Sequence, residues 1–208
     1  MALIGLISDV HASPEPLEEA LSLFAERGVG QVFCAGDIAG YGDHLLETIA
    51  LLQANTSQSI IGNHDISYIE RHKDEIDNDA IPFLKKLPTS IEQVIEGKKL
   101  CMVHAQPPDE CHGGIKLLSK DGDVLETRIA EWEEKLQTLN CDVLVVGHTH
   151  QVFVEKIGNT LVINPGSSVF NNSCAILRLP EMTVEMIALS GKDILKTWNW
   201  GDHVIHGS

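Results

Sequence analysis

The sequence predicts an α/β fold in a single domain, and three observations support this. The first third of the chain alternates short apolar runs with segments of helical periodicity, a βαβαβ pattern that right-handed crossovers turn into a largely parallel sheet. The segments between residues 152 and 189 are short, alternate in polarity and end in turn residues, which predicts antiparallel strands. The chain has 208 residues without an internal repeat or linker, so we expect one domain over 1–208.

The first βα unit begins with the apolar run 2–8, whose length and continuity are typical of a strand buried on both faces. The strand is followed directly by Asp9 and, two positions later, His11. Ser13 before a proline predicts the start of a helix, and Gly28 predicts its end.

The alternation then repeats. Residues 31–35 predict a second strand that ends before Asp37, and Asp43 is expected to cap a second helix. The predicted apolar face of this helix comprises Leu45, Leu46, Ile49 and Leu52. A third strand ends at Gly62, where glycine permits a sharp turn into three polar residues of an expected loop: Asn63, His64 and Asp65.

The second half begins with an irregular helical stretch over 66–87. Residues 91–95 and 99–103 then alternate around a Glu-Gly-Lys turn, which predicts a hairpin whose second strand ends at His104. A helix is predicted from Asp123 to Leu136. A further buried strand, 142–146, ends at the Gly-His-Thr-His segment containing His148 and His150.

Composition narrows the classes of partner. The formal charge of −15 argues against binding to duplex nucleic acid, which requires a basic surface. No apolar run is long enough to span a membrane, and the N-terminus lacks the features of a signal peptide, so we expect a cytoplasmic protein. The five cysteines form no C-x-x-C pair, and Cys34, Cys101 and Cys174, which lie in strand-like apolar runs, are expected to be reduced core residues. A homodimer is compatible with the sequence, which predicts no interface.

Eight polar side chains stand at or just after predicted strand ends, and ligand sites of open α/β sheets lie at that edge. They are Asp9, His11, Asp37, Asn63, His64, His104, His148 and His150. Taken singly, each histidine is as readily a surface or hydrogen-bonded imidazole. Their occurrence after separate strands favours a shared metal site instead.

The donors are oxygen and imidazole without thiolate, which favours manganese, iron, zinc, cobalt or nickel over an all-oxygen calcium or magnesium site. Without His64, seven candidate ligands remain, which is more than one such ion takes, so we expect two divalent ions. Asp37 lies between Gly36 and Gly40 and is the expected bridge. A spacing of two on extended backbone allows His148 and His150 to bind one ion or two neighbouring ions. Two ions about 3.5–4 Å apart can share a hydroxide and clamp a phosphoryl group.

The motifs Asp9-x-His11, Gly36-Asp37, Gly62-Asn63-His64-Asp65, His104 and Gly147-His148-Thr149-His150 resemble, in this order, those of the calcineurin-like metallophosphoesterase superfamily. The resemblance is greatest to its small bacterial and archaeal phosphodiesterases. It implies a four-layer αββα sandwich in which two mixed sheets are flanked by helices.

The resemblance also implies roles for individual residues. Asp9, His11 and His150 would bind one metal ion, manganese being the expected metal. Asn63, His104 and His148 would bind the second ion, with Asp37 bridging. His64 would contact the phosphate and protonate the leaving oxygen, with Asp65 as a second catalytic candidate.

One departure from the family pattern concerns the substrate. Relatives that act on phosphoproteins or diadenosine tetraphosphate have G-D-x-x-D-R-G, whereas residues 36–42 here lack the second aspartate and the arginine. We therefore expect hydrolysis of a small or nucleotide-like phosphodiester. The alternatives are a phosphomonoesterase or protein phosphatase, and a non-catalytic scaffold such as the retromer-type relatives, which lack the histidine at the position of His64.

Three further features have two interpretations each. The aperiodic segment 105–122, with His112, Gly113, Gly114 and Lys116, is the expected substrate-side loop, although a mobile surface loop would have the same composition. Tyr41 can stack on a base or pack against the protein, and packing is the favoured interpretation. The tail 198–208 is expected to be loosely packed beyond its two tryptophans.

Overall fold

The computed structural model describes residues 1–198, which form ten strands and five helices. The strands are β1 (Ala2–Ile7), β2 (Gln31–Cys34), β3 (Gln58–Ser59), β4 (Ser90–Ile95), β5 (Lys98–Val103), β6 (Val143–Val145), β7 (Phe153–Ile157), β8 (Thr160–Asn164), β9 (Ser173–Leu179) and β10 (Thr183–Ala188). The helices are α1 (Pro14–Glu26), α2 (Leu45–Ala54), α3 (Asn63–Arg71), α4 (Ala80–Leu84) and α5 (Glu126–Leu136).

The strands form two five-stranded sheets in the orders β10-β9-β1-β2-β3 and β4-β5-β6-β8-β7. In the first sheet β1, β2 and β3 are parallel, and β9 and β10 are added antiparallel. In the second sheet β5, β6 and β8 are parallel, and the edge strands β4 and β7 are antiparallel. The parallel arrangement predicted for the first three strands is confirmed, and both sheets are mixed because antiparallel strands are added to the parallel ones.

Strand β1 illustrates how sequence determines layering. Its side chains alternate, so that Leu3 and Ile7 pack toward the helices while Ile4 and Leu6 pack between the sheets. At Gly5 a Cβ would lie 2.5 Å from the ring of Phe24 on α1, so glycine lets the helix approach. The prediction of a strand buried on both faces is confirmed.

Three apolar clusters lie between four layers. One joins α1, α2 and α4 to the first sheet, a second fills the space between the sheets, and a third joins the second sheet to α5. The four-layer αββα sandwich with two mixed sheets is confirmed. The layers bring the carboxyl ends of the central parallel strands to one edge.

Several predicted element boundaries change. Helix α2 has His44 rather than Asp43 at its N-cap, and Leu46 on the predicted apolar face is 55% exposed. Helix α3 begins at Asn63, so the prediction of a loop over Asn63, His64 and Asp65 was wrong. The Asp65 carboxylate explains the early helix start, because it accepts a hydrogen bond from the N–H of the N-cap residue Gly62 at 2.9 Å.

The segment 105–122 contains buried apolar side chains. Ile115 and Leu117 are fully buried and belong to the cluster beneath α5, so this part of the segment packs against the core. In the predicted tail, Trp198 stacks on Phe170, and residues 199–208 lie outside the described residues. None of the helices described over 1–198 is long and apolar enough to cross a membrane.

Candidate metal centre

The predicted ligands meet at one edge of the two sheets, in the connections that follow β1, β2, β5 and β6 and in the first turn of α3. Three groups of His and Asp side chains there have ligand atoms within 4.8 Å of one another. The groups overlap, and the described part of the chain thus contains one continuous arrangement of donors.

The first group, here called the Asp9 cluster, consists of Asp9, His11 and His150. All three side chains are buried. The Nε2 atoms of His11 and His150 are 3.2 Å apart, and His150 Nε2 is 3.3 Å from Asp9 Oδ1. Two imidazole nitrogens and a carboxylate oxygen therefore converge within 4.0 Å of one another at a buried point.

The second group, here called the His104 cluster, consists of Asn63, His104 and His148 beside Asp37. The ligand atoms of Asp37, His104 and His148 lie within 4.8 Å of one another. The Asn63 Oδ1 atom is 3.0 Å from His104 Nε2 and 2.8 Å from His148 Nδ1. The amide oxygen thus points to the same place as the ring nitrogens of the two histidines.

Asp37 lies between the clusters. Its carboxylate also belongs to a third group with His11 and His64, so it reaches the Asp9 cluster as well as His104. Its Oδ1 atom accepts a hydrogen bond from the His64 backbone N–H at 2.8 Å. This is the position that a bridging ligand requires.

The backbone around these side chains is strained rather than extended. Asp9, His11, Asp37, His148 and His150 all have positive φ values, between 49° and 64°. Such conformations cost about 1–3 kcal/mol each for residues with a Cβ and cluster at functional sites. The extended geometry assumed for the spacing of two was wrong, and the left-handed turns instead direct His148 and His150 into different clusters.

Charged neighbours within the centre lower the pKa values of two buried carboxyl groups. Burial by itself would raise the pKa of Asp9, but the adjacent His150 holds that pKa well below its usual range. The pKa of Asp37 is likewise lowered, because the attraction of His104 outweighs burial. Both carboxylates are thus ionised and available as ligands at neutral pH.

The histidine imidazoles of the centre differ in their pKa values. Burial lowers the pKa of His11 to about 4, and burial together with the neighbouring His104 lowers the pKa of His148 to about 4. Burial also opposes protonation of His104, but the adjacent Asp37 raises its pKa to about 9. Without metal, His104 and Asp37 therefore form a buried ion pair.

Backbone carbonyls orient two of these rings. The His104 Nδ1–H group donates to the Ala35 carbonyl at 2.7 Å, and His11 Nδ1 lies 3.3 Å from the Ala39 carbonyl. In each ring this leaves Nε2 directed into the centre. In metal sites, a hydrogen bond from one ring nitrogen to such a carbonyl determines which of the two nitrogens binds the metal.

His64 lies at the exposed side of the centre. Its ring is edge-on to His11 at 4.9 Å, and its Nε2 atom is 3.2 Å from the Tyr41 hydroxyl. Tyr41 is 49% exposed and contacts the ring of His11 as well. Tyr41 therefore packs against the centre, as the favoured interpretation expected, and it is the side chain that supports His64.

Asp65, the second catalytic candidate, faces backbone groups. It is fully buried, and its two oxygens accept hydrogen bonds from the Ala39 N–H at 2.7 Å and the Gly62 N–H at 2.9 Å. Burial, reinforced by the charge of Asp37, raises the pKa of Asp65 to about 7. Both oxygens face backbone, so Asp65 connects the β2 loop to α3 instead of contacting the His64 ring.

Two glycines permit the close approach of these segments. Gly62 has an ordinary extended conformation, but a Cβ there would collide with the Asp37 carboxylate. At Gly36, which has a φ of 94°, a Cβ would lie 2.8 Å from His104 Nδ1. The predicted sharp turn at Gly62 was wrong, and the absence of a side chain is what the position requires.

Sequence reasoning missed the residues that position the ligand loops. The Ser167 hydroxyl donates to the Asp9 carbonyl at 2.6 Å, and Asn171 Nδ2 donates to the His150 carbonyl at 3.0 Å. Asn164 Nδ2 donates to the Gly147 carbonyl and to Thr149 Oγ1. For Asn164 and Ser167 the available signal was the segment 164–168, Asn-Pro-Gly-Ser-Ser, which resembles the stretch after the last ligand motif in the family, whereas Asn171 lies outside this segment.

The chemistry of this centre fits divalent metal ions. Ionised carboxylates, an amide oxygen and oriented imidazole nitrogens converge at one site, where Asn63 and His148 are half-buried and the other ligands are buried, and this is the donor set of borderline transition metals. A calcineurin-like phosphoesterase superfamily domain matches residues 2–179. The chain belongs to this superfamily. Its members include metal-dependent phosphoesterases, and the chain is therefore a member of a hydrolase superfamily with a metal-binding centre.

The sequence similarity to individual relatives extends over most of the chain. A protein named "probable metallophosphoesterase" from Methanothermobacter thermautotrophicus is 28% identical over 196 residues, covering 92% of this chain and 88% of the relative. Phosphodiesterase YfcE of Escherichia coli K12 is 24% identical over 201 residues, covering 94% and 96%. The solved structure of an archaeal phosphodiesterase has a TM-score of 0.61 at 20% identity, covering 90% of this chain and 99% of that one, and shows the same fold.

Proposed function

We propose that the protein hydrolyses phosphodiester bonds of small or nucleotide-like substrates with two divalent metal ions, manganese being the expected metal. The observation that supports this most strongly is the position of Asp37, whose carboxylate lies within ligand distance of side chains in both clusters. The names of the phosphodiesterase and metallophosphoesterase relatives agree with this class of reaction.

The proposed ligands are divided between the clusters. Asp9, His11 and His150 would hold one ion, and Asn63, His104 and His148 the other, with Asp37 as the shared ligand. When bound, such ions supply a water of lowered pKa and neutralise the charge on phosphate oxygens. His104 must lose a proton before it can ligate, because only a neutral imidazole has a free lone pair.

His64 is the proposed proton donor to the leaving oxygen. Its ring stands at the exposed rim of the centre, with Nε2 3.2 Å from the Tyr41 hydroxyl. A positioned imidazole of this kind contributes about 10²–10⁴-fold to a hydrolytic rate. Tyr41 would orient the ring.

The preference for a diester rests on the charge beside the reacting phosphate. The segment 36–42 has Gly40 and Tyr41 where the phosphatase pattern has aspartate and arginine. Tyr41 brings a neutral hydroxyl to His64 instead of a guanidinium group. A phosphomonoester carries more negative charge than a diester and would lack its fixed cationic partner.

The test is a comparison of bis(p-nitrophenyl) phosphate with p-nitrophenyl phosphate, with manganese, nickel and magnesium supplied in turn to metal-stripped protein. We expect the diester to be hydrolysed with the higher kcat/KM, in the presence of manganese or nickel, and activity to disappear with a chelator.

Preference for the monoester would contradict the diester assignment and leave a phosphomonoesterase. The absence of turnover of either substrate by fully metal-loaded protein would favour a binding scaffold with this fold.

A further inference from the structure

We propose that a pocket beside the metal centre is a substrate subsite for a second anionic group on one arm of the diester. The pocket, here called the side pocket, has a volume of about 260 Å³ and is lined by Lys116, His148, His150, Gln151, Thr197 and Trp198. The inference rests on the proposed function, because the two histidines place the pocket next to the proposed reacting phosphate.

The walls of the side pocket are fixed to the metal-ligand loop. Gln151 Oε1 accepts hydrogen bonds from the backbone N–H groups of Leu117 and Leu118, at 2.8 and 3.0 Å, and its Nε2 donates to the Leu118 carbonyl. On the other side, the Trp198 N–H donates to the His150 carbonyl at 3.1 Å. Both walls therefore keep a defined position relative to the ligands.

The wall from segment 105–122 presents one cation. Ile115 and Leu117 are fully buried, whereas Lys116 between them is exposed, so the buried neighbours hold the lysine backbone at the pocket. No carboxylate of the described chain forms an ion pair with Lys116. In a chain with a formal charge of −15, an unpaired ammonium group beside a phosphoester centre is placed for an anionic ligand.

The opposite wall is aromatic and polar. Trp198 stacks on Phe170 at 5.0 Å between ring centroids, and Phe170 in turn stacks on His150 at 5.4 Å. Thr197 donates from its hydroxyl to the Lys120 carbonyl, which joins this wall to the lysine-bearing segment. A pocket with one cation and one aromatic wall suits a sugar-phosphate or nucleotide arm that has its own phosphate.

The side pocket thus indicates the class of substrate: a phosphodiester in which one of the two esterified groups has an additional phosphate. The probes are thymidine 5′-monophosphate and thymidine 3′,5′-bisphosphate, which differ by one phosphate group, titrated calorimetrically into manganese-loaded protein. We expect the bisphosphate to bind about tenfold more tightly, the magnitude of one charge-assisted contact.

The Lys116→Gln variant should lose this difference while binding the monophosphate as the unmodified protein does. Lys120→Gln is the matched control, because Lys120 is an exposed lysine of the same segment outside the pocket lining, and it should keep the difference. Because these are binding measurements, they test the subsite even if the diester is not hydrolysed.

Three results would overturn the proposal. Equal affinities for the two nucleotides in the unmodified protein would remove the subsite, as would a preference that survives in Lys116→Gln. Weaker binding of inorganic phosphate alone to Lys116→Gln would mean that the lysine serves the reacting phosphate and not a second anion. If the protein hydrolyses the diester but binds the monophosphate and the bisphosphate equally well, the subsite is refuted and the proposed function stands.

Discussion

The two ligand clusters use similar residues but differ in their state before metal binds. In the Asp9 cluster, His11 is buried and neutral, with its pKa lowered to about 4. In the His104 cluster, Asp37 raises the pKa of His104 to about 9, so this imidazole is protonated at neutral pH. The shared carboxylate of Asp37 therefore pairs with a protonated histidine, and under the proposed function it would also bridge the two metal ions.

The largest expected effect comes from Asp37→Ala, which removes the side chain common to both clusters. We expect metal content to fall in both positions and kcat/KM for the diester to fall at least about a thousandfold, since several kcal/mol of charge stabilisation are lost. Metal content is measured by inductively coupled plasma mass spectrometry. The matched control is Asp43→Ala at an exposed aspartate, and retention of two ions by Asp37→Ala would refute the bridge.

His64→Ala should separate chemistry from metal binding. We expect a loss of about 10²–10⁴ in kcat, the range for removal of a general acid, with both ions retained. Single-turnover kinetics together with metal analysis checks both parts. An unchanged kcat would exclude His64 as the proton donor.

Asp65→Ala tests whether Asp65 acts on the chemistry or on the position of the ligands. Its removal leaves the buried N–H groups of Ala39 and Gly62 without an acceptor, so the free energy of unfolding should fall by about 3 kcal/mol. Metal affinity should fall about 10–100-fold, as for other groups that orient ligands. Lost turnover with normal metal affinity and stability would instead support the catalytic role that the sequence suggested.

The smallest effect is a pH dependence specific to the His104 cluster. Because the pKa of His104 is raised to about 9, binding of an ion at pH 7.5 must displace its proton, and the ion should bind about tenfold more tightly per pH unit up to about pH 9. Calorimetry in buffers of different ionisation enthalpy should show about one proton released. His72→Gln, at a histidine outside the centre, should leave this number unchanged, and a pH-independent affinity would contradict the ion pair.

The sequence predicted most strands because each is a short apolar run that ends in polar residues, as at 2–8. Periodicity alone did not show which strands share a sheet, and only the family resemblance implied two sheets, since strand pairing depends on contacts between distant segments such as β1 and β9. Helix α2 shows a similar limit: periodicity did not indicate that Leu46 lies outside the buried face.

For the candidate centre, residue type and position after a strand were sufficient to select the eight side chains that converge. Their conformation was not predictable, because left-handed φ values at residues with a Cβ, such as Asp37, go against local preference and persist only where the surrounding structure holds them. Ser167 and Asn171 were missed for a related reason. They donate hydrogen bonds to backbone carbonyls of ligand residues, and the identity of a serine or asparagine does not indicate which distant carbonyl it contacts.

The most direct test is anomalous diffraction from crystals of the full chain grown with manganese. The account predicts two manganese peaks, one within bonding distance of Asp9, His11 and His150 and the other within bonding distance of Asn63, His104 and His148, with a carboxylate oxygen of Asp37 reaching both. A single peak, or two peaks of which neither contacts Asp37, would contradict it.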